Sequence, residues 1–332
     1  MSAISRRELL LALPGLALAH RLVAQAGPPP LRVLGLSQVT LAVSDVARSV
    51  AFYQALFGLP IQARRGDAVL LRLGDGPYFL EVMPAGGAPP RVDHWGVGVE
   101  DFEVGRVLET LNALGVGRAI GGEGLSGGPL RVRASTRDGT PELFLGDPDG
   151  LVTQLQDRSY CGGGGPLGAE CGPATPATPG APLRLVGISH LTINVPDPDA
   201  SNAFYRRTFG LDIQAYQAAS PLLGVGPGPD FLMFIASGGR GGPGPARVNH
   251  ACFTLPNFDV ERIQAALEAQ GIRPREDGQA GPLLHWVSMR MPNRGGAPEG
   301  TPELYFSDPD GLSIQLQDVS YCGGGGYLGE VC

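Results

Sequence analysis

Thr140-Pro-Glu-Leu-Phe-Leu-Gly-Asp-Pro-Asp-Gly-Leu-Val-Thr-Gln-Leu-Gln-Asp157 returns 161 positions later as Thr301-Pro-Glu-Leu-Tyr-Phe-Ser-Asp-Pro-Asp-Gly-Leu-Ser-Ile-Gln-Leu-Gln-Asp318. Upstream, Ala51-Phe-Tyr-Gln-Ala-Leu-Phe-Gly-Leu59 returns as Ala203-Phe-Tyr-Arg-Arg-Thr-Phe-Gly-Leu211. Matches this long, in the same order, mark a tandem duplication. The copies run from 31 to 171 and from 183 to 332. Between them, 172–182 contains Pro-Ala-Thr-Pro-Ala-Thr-Pro, which predicts a stiff, extended, polar linker.

Within copy one, Gln38 to Val43 alternates like a strand. Asp45 is placed to cap a helix in which Val46, Val50, Tyr53 and Phe57 recur at helical spacing before Gly58 stops it. Strands are expected at Val69 to Leu73 and Tyr78 to Met83. A second unit then opens with a strand at Val92 to Val99 and a helix from about Phe102 to Leu114, ended by Gly115. Strands at Leu130 to Ala134, Glu142 to Leu145 and Val152 to Gln156 complete it. Asp147-Pro-Asp-Gly150 carries the residues of a tight turn between the last two. The fold class is therefore α+β, with two βαβββ units per copy and four in the chain.

Composition narrows the function. The chain has 332 residues with 51 Gly and 31 Pro, yet 43% hydrophobic content argues against disorder. All 25 basic residues are Arg, so a Lys Schiff base and the Lys of a phosphate-binding loop are excluded. Residues 1–26 read as a cleavable export signal of the twin-arginine kind: Arg6-Arg7, an apolar stretch too short to span a bilayer, then Ala24-Gln25-Ala26. Its removal takes away Arg6, Arg7, Arg21 and Glu8, moving the formal charge from −7 to −9. An acidic chain lacks the basic face a nucleic-acid binder needs. A periplasmic or secreted protein without a membrane span is expected, its partner a small molecule. Homo-oligomerisation is left open by the sequence.

Cys161 and Cys171 stand ten apart, as do Cys322 and Cys332, each pair opening on Cys-Gly-Gly-Gly-Gly. In an oxidising compartment two local disulfides are expected, each closing a Gly-rich tail loop. A four-thiolate metal site joining the tails is the alternative. Cys252, beside Ala251 and Phe253, is expected as a free, buried core residue.

The Phe-Tyr-x3-Phe-Gly-Leu helix and the Asp-Pro-Asp-Gly turn resemble the vicinal oxygen chelate superfamily, which includes glyoxalase I, bleomycin-resistance proteins and extradiol dioxygenases. The resemblance covers 34–160 and 186–321. It implies that two βαβββ units curl into a cup in each copy. A divalent metal would then lie inside, held from the first and last strands of each unit. Fe(II) is the first expectation, with Mn(II) or Zn(II) as alternatives. Of the histidines beyond the leader, His94, His190 and His250 fall on first-strand ligand positions, and the fourth is His285. The resemblance implies the set Gln38, Glu81, His94 and Gln154 in copy one, and His190, Phe234, His250 and Gln315 in copy two. The family places a Glu where Gln154 and Gln315 stand, and an amide leaves a cation's charge uncompensated. Glu142 and Glu303 lie on the preceding strand, where hairpin register decides their face. A solvent-facing Glu is the ordinary outcome there, so Glu303 is the alternative to Gln315.

Copy two also resembles the extradiol-dioxygenase signature, Leu304-Tyr305-x2-Asp308-Pro309-x-Gly311-x3-Gln315, with Tyr305 at the phenol position. Its upstream His is missing from 296–298, and His285 is the candidate replacement. Copy one, with Phe144 for Tyr305 and Gln38 for His190, resembles a non-catalytic partner domain. Three functions follow as expectations. The first is a metal-dependent oxidoreductase acting in copy two on a small aromatic or oxygen-chelating substrate. The second is a metal-free binding protein of bleomycin-resistance type, and the third a glyoxalase-like lyase or isomerase drawing on copy one.

Overall fold

Short alternating runs separated by Gly-rich turns give each copy one nine-stranded mixed sheet carrying two helices. The computed structural model describes residues 31–332 apart from 122, 123, 178, 240 and 241, so the leader expected over 1–26 lies outside the described residues. In copy one the first unit is β1 (Val33–Val43), α1 (Val46–Phe57), β2 (Ile61–Arg65), β3 (Ala68–Arg72) and β4 (Phe79–Pro84). The second is β5 (Arg91–Val99), α2 (Val104–Ala113), β6 (Gly117–Arg118), β7 (Arg131–Arg137), β8 (Thr140–Gly146) and β9 (Val152–Asp157). Copy two repeats this as β10 (Gly187–Val195), α3 (Pro198–Phe209), β11 (Ile213–Gln217), β12 (Ser220–Gly224) and β13 (Phe231–Ala236). A small hairpin of β14 (Gly238–Gly239) and β15 (Gly242–Pro243) follows. Then come β16 (Arg247–Leu255), α4 (Val260–Ala269), β17 (Arg273–Pro274), β18 (Leu284–Arg290), β19 (Thr301–Ser307) and β20 (Ser313–Asp318).

The sheet orders are β2-β3-β4-β1-β5-β9-β8-β7-β6 and β11-β12-β13-β10-β16-β20-β19-β18-β17. Each unit's first and last strands thus lie side by side at the centre, β1 against β4 and β5 against β9, both parallel. The two units meet through β1 and β5, antiparallel. The expected βαβββ order holds, with an additional two-residue edge strand, β6 or β17, in each second unit. The edge strand β2 was not among the strands expected from sequence, because Ile-Gln-Ala-Arg-Arg carries no clear alternation. Asp45 accepts a hydrogen bond from the Arg48 amide, and Gly58, at φ +66°, ends α1 in the left-handed region that glycine enters without strain. Within the linker, Thr175 exchanges backbone hydrogen bonds with Ile61 at the outer edge of β2.

The copies interlock through their first helices. Phe57 of α1 lies 6.0 Å from Phe306 of β19, and Tyr205 of α3 lies 6.4 Å from Trp95 of β5. At the tips the exchange is reciprocal, Tyr53 donating to Asp308 Oδ2 at 3.2 Å and Tyr205 to Asp147 Oδ2 at 3.3 Å. Both Asp residues belong to Asp-Pro-Asp-Gly turns, so each turn is held by the opposite copy's helix. Gly74 at φ +60° approaches the Val186 carbonyl across this interface, and Gly226 at φ +78° approaches that of Leu34. No described helix is long and apolar enough to cross a membrane.

Candidate functional site

Strand parity decides which side chains enter each cup, because neighbours on one strand face opposite sides. Across copy two the backbone register aligns Phe231, His190, Cys252, Gln315, Tyr305 and Trp286 in one row. His250 lies two residues before Cys252 on β16 and so shares that face. The rings pack accordingly: His190 stacks on Phe231 at 4.3 Å, His250 meets His190 edge-on at 5.6 Å, and Tyr305 meets His250 edge-on at 5.3 Å. Of the residues expected in this site, His190, His250, Gln315, Glu303 and Tyr305 are brought together.

Two expected members are not. His285 alternates with Trp286, and Trp286 takes the cup side, stacked on Tyr305 at 5.3 Å. His285 therefore faces α4, 3.3 Å from Glu268 and 3.5 Å from Gln264, where it cannot reach a ligand in the cup. Phe234 is displaced by the same parity. The register pairs Thr192 with Met233 as it pairs Thr40 with Glu81, so Met233 takes the position expected of Phe234, which packs on Tyr205 at 4.8 Å instead.

The imidazoles of copy two are set up as neutral bases. Burial pushes the pKa of His250 down to about 4, and burial with His250 alongside pushes His190 well below its usual range. Nδ1 of His250 lies 2.8 Å from Asn249 Oδ1 and donates to it, leaving the Nε2 lone pair facing no partner. Gln315 is buried with neither amide atom in a formed hydrogen bond, yet it lies close enough to both imidazoles to favour their protonated forms.

Glu303 is inside the cup rather than facing solvent, and it is already engaged. Arg290, fully buried, donates Nε to Glu303 Oε1 at 2.8 Å, while the Tyr305 and Tyr321 hydroxyls donate to the carboxylate at 3.3 Å each. The remaining guanidinium nitrogens bond two carbonyls, that of Gly295 in the loop between β18 and β19 and that of Gly324 in the tail, which ties the tail to the cup. Burial, then Glu303, raises Tyr305 well above the usual phenol range. Cys252 is the one free cysteine among the described residues and is fully buried, as expected; the register sets it between His190 and Gln315, on the face that carries the cup side chains. Its apolar neighbours concealed this; the register shows it. Burial raises its thiol pKa strongly.

Copy one gathers Gln38, Glu81, His94 and Gln154 as expected, but their groups bond one another. Gln38 Nε2 donates to Gln154 Oε1 at 2.7 Å and lies 3.3 Å from His94 Nε2, while Thr40 Oγ1 donates to Glu81 Oε2 at 2.9 Å. Gly96 stands where copy two has Cys252, and Gln38 lies over it so closely that a Cβ would collide. Glu142 also faces inward, accepting from Tyr160 at 2.9 Å. Arg65, from the unexpected strand β2, reaches both Glu81 and Glu142. A cavity of about 250 Å³ opens at this mouth, lined by Arg65, Arg137, Thr140, Glu142, Tyr160 and Gly163.

Both expected disulfides are present, Cys161–Cys171 and Cys322–Cys332. They fit an oxidising environment. Each closes a tail whose tyrosine, Tyr160 or Tyr321, is buried against the cup. Among the described residues, no three His, Cys, Asp or Glu side chains converge closely enough to hold a metal ion.

The chain matches the family model described as Glyoxalase/Bleomycin resistance protein/Dioxygenase superfamily at 35–154 and again at 187–316. No curated protein matches. Solved structures do, at low identity. The Mn(II)-bound glyoxalase from Novosphingobium aromaticivorans is 17% identical, over 86% of this chain and 82% of that one, with a TM-score of 0.60. A halotolerant catechol dioxygenase is 17% identical, over 89% and 87%, with a TM-score of 0.59. Homoprotocatechuate 2,3-dioxygenase from Arthrobacter globiformis is 15% identical, over 88% and 81%, with a TM-score of 0.57. At these identities the likeness is one of fold.

Proposed function

Because this chain belongs to the Glyoxalase/Bleomycin resistance protein/Dioxygenase superfamily, we propose that its second cup is the working site of a metal-dependent enzyme acting on a small, oxygen-chelating substrate. The observation that carries this is the set of unpartnered polar atoms deep in that cup, His250 Nε2 and both amide atoms of Gln315. Buried polar groups left unpaired cost free energy, so a site that keeps them is one a ligand completes. The donor chemistry fits a divalent cation: His190 and His250 supply neutral imidazoles and Gln315 an amide oxygen. Such a cation would act as a Lewis acid, polarising a substrate oxygen and favouring its deprotonation.

The charge state of the cup selects the substrate. His190, His250 and Gln315 are neutral, and Arg290 cancels Glu303, so nothing in the protein balances a divalent charge. An anionic ligand with two adjacent oxygens, such as a catecholate or enediolate, would bring the missing charge. Tyr305, beside His250 and hydrogen-bonded to Glu303, is placed to hold or pass a proton at the substrate oxygen. Trp286, stacked on Tyr305 and with the Arg275 guanidinium 4.0 Å from its ring centre, closes the same edge. The disulfide-closed tail limits water.

The engagement of Glu303 by Arg290 favours a second function, metal-free binding of a small apolar or aromatic molecule in the same cup. Metal analysis decides between them. Protein purified without chelator and dialysed against Fe(II), Mn(II) or Zn(II) is expected to retain about one equivalent per chain. His190→Ala and His250→Ala should each lose it, and His94→Ala should keep it. Gln315→Glu, restoring a charge, should tighten it. Wild-type protein free of metal after all three reconstitutions refutes the enzyme and leaves the binding protein. We also propose export by the twin-arginine route, checked by replacing Arg6 and Arg7 together and following the precursor; unchanged secretion overturns it.

A further inference from the structure

Where the two copies abut, the starts of β5 and β16 and the ends of the turns before β9 and β20 enclose a cavity of about 360 Å³. Each copy contributes equivalent residues: Arg91 and Asp93 from one, Arg247 and Asn249 from the other, with Leu151 and Leu312 as apolar walls. Its lining includes none of the imidazoles, glutamines or tyrosines of the cups. Strand register explains how the polar side chains reach it. Thr40 pairs with His94 and Leu41 with Val92, so Asp93 is the extra residue of a β-bulge, and Asn249 is the extra residue between Val248 and His250 in the same way. A bulge re-aims the side chain it carries. Asp93 thereby meets Nδ1 of His94 at 2.9 Å, and Asn249 meets Nδ1 of His250 at 2.8 Å.

At this bulge the copies have the same shape and a different charge. In copy one the other oxygen of Asp93 accepts from Arg91, and the two form an ion pair. Asn249 is neutral, and Arg247 has no carboxylate partner among the described residues. Two guanidinium groups therefore line one cavity with a single carboxylate between them, which leaves one positive charge in excess. Asn249 gives its Oδ1 to His250 and keeps Nδ2 as a donor.

A concave space at a domain interface, partly apolar and with a few convergent polar groups, is the ordinary form of a small-molecule site. An unneutralised guanidinium beside an amide donor selects an anion, and its planar fork matches a carboxylate. One excess charge suits a monoanion, and the leucine walls suit a hydrocarbon body. We infer that this interface cavity binds a small organic monocarboxylate, with Arg247 and Asn249 Nδ2 holding its oxygens and Leu151 and Leu312 its apolar part. The site goes beyond the function proposed for the second cup and does not depend on it.

The probe is cyclohexanecarboxylate, titrated calorimetrically into the disulfide-bonded protein, with cyclohexanecarboxamide as the neutral control. The carboxylate should bind with a Kd of about 1 mM or below, and the amide about tenfold more weakly or worse. Arg247→Met should weaken the carboxylate about tenfold, and so should Asn249→Asp, which gives copy two the ion pair of copy one. Asp93→Asn frees Arg91 and should tighten binding several-fold; because Asp93 belongs to copy one, that gain cannot arise in the second cup. Added salt should weaken binding throughout. No binding at about 10 mM, an amide that binds as well as the carboxylate, or an affinity indifferent to Arg247→Met overturns the inference. A loss in Asn249→Asp without a gain in Asp93→Asn puts the ligand in the second cup and overturns it too. Should Asp93→Asn fail to fold, Arg247→Met decides alone, because Arg247 lines the cavity and stands on the wall of neither cup.

Discussion

Consider breaking the Arg290 to Glu303 pair under the second tail. Both side chains are buried, Arg290 completely, and among the described residues the guanidinium has one anion, at 2.8 Å. Glu303→Gln keeps the shape but leaves a buried charge uncompensated. Removing one partner of a buried ion pair typically costs about 3–5 kcal/mol. Arg290→Met leaves the carboxylate uncompensated and also releases the Gly295 carbonyl of the β18–β19 loop and the Gly324 carbonyl of the tail, so it should cost at least as much. The double variant leaves no unpaired charge, and its cost should fall short of the sum of the singles by roughly 2 kcal/mol or more. Urea unfolding of the four proteins, followed by tryptophan fluorescence, measures the cycle. Additive losses would show that the two charges are solvated independently and would refute the closed, low-dielectric cup.

Further outcomes follow from the same geometry. His250 has a folded pKa of about 4 against an ordinary 6.5, so the unfolded chain takes up a proton that the folded one refuses. Its contribution is lost as pH falls from 6.5 through 4, about 3 kcal/mol in all, and the stability difference between wild type and His250→Gln should shrink over that window; a constant difference contradicts the burial. Non-reducing mass spectrometry should find one free thiol, on Cys252, and each tail disulfide should add about 3 kcal/mol by chain entropy, read from the unfolding midpoint with and without reductant. Gly74→Ala places a Cβ 2.5 Å from the Val186 carbonyl at a positive φ and should destabilise the chain by more than about 1 kcal/mol, with Gly86→Ala, at positive φ in open space, as the milder control.

The repeated Asp-Pro-Asp-Gly block made the architecture legible, because a tight turn between two apolar strands admits few alternatives and its duplication fixed the copy number. The shared face of the candidate site was legible where ligand-type residues sat on central strands, as with His190, His250 and Gln315. It was illegible where a single step of strand parity mattered. His285 and Phe234 were each one residue away from the side chain that faces the cup, and nothing local to 276–284 sets the phase of β18. Arg65 escaped notice because its strand is too polar to alternate. The signal was present in the sequence all the same: setting the copies side by side pairs Arg65 with Gln217 and Glu81 with Met233.

The crossed first helices bear on how the two cups came to differ. Tyr53 closes on Asp308 and Tyr205 on Asp147, so each half is finished by the other. In an assembly of two identical chains, any substitution in one cup appears in both, and a guanidinium in one mouth would plug the second as well. Joining the halves through 172–182 removes that constraint. Each half always meets the other and never a copy of itself, which leaves one cup free to become scaffold while the other keeps its unpaired imidazole and amide for a ligand.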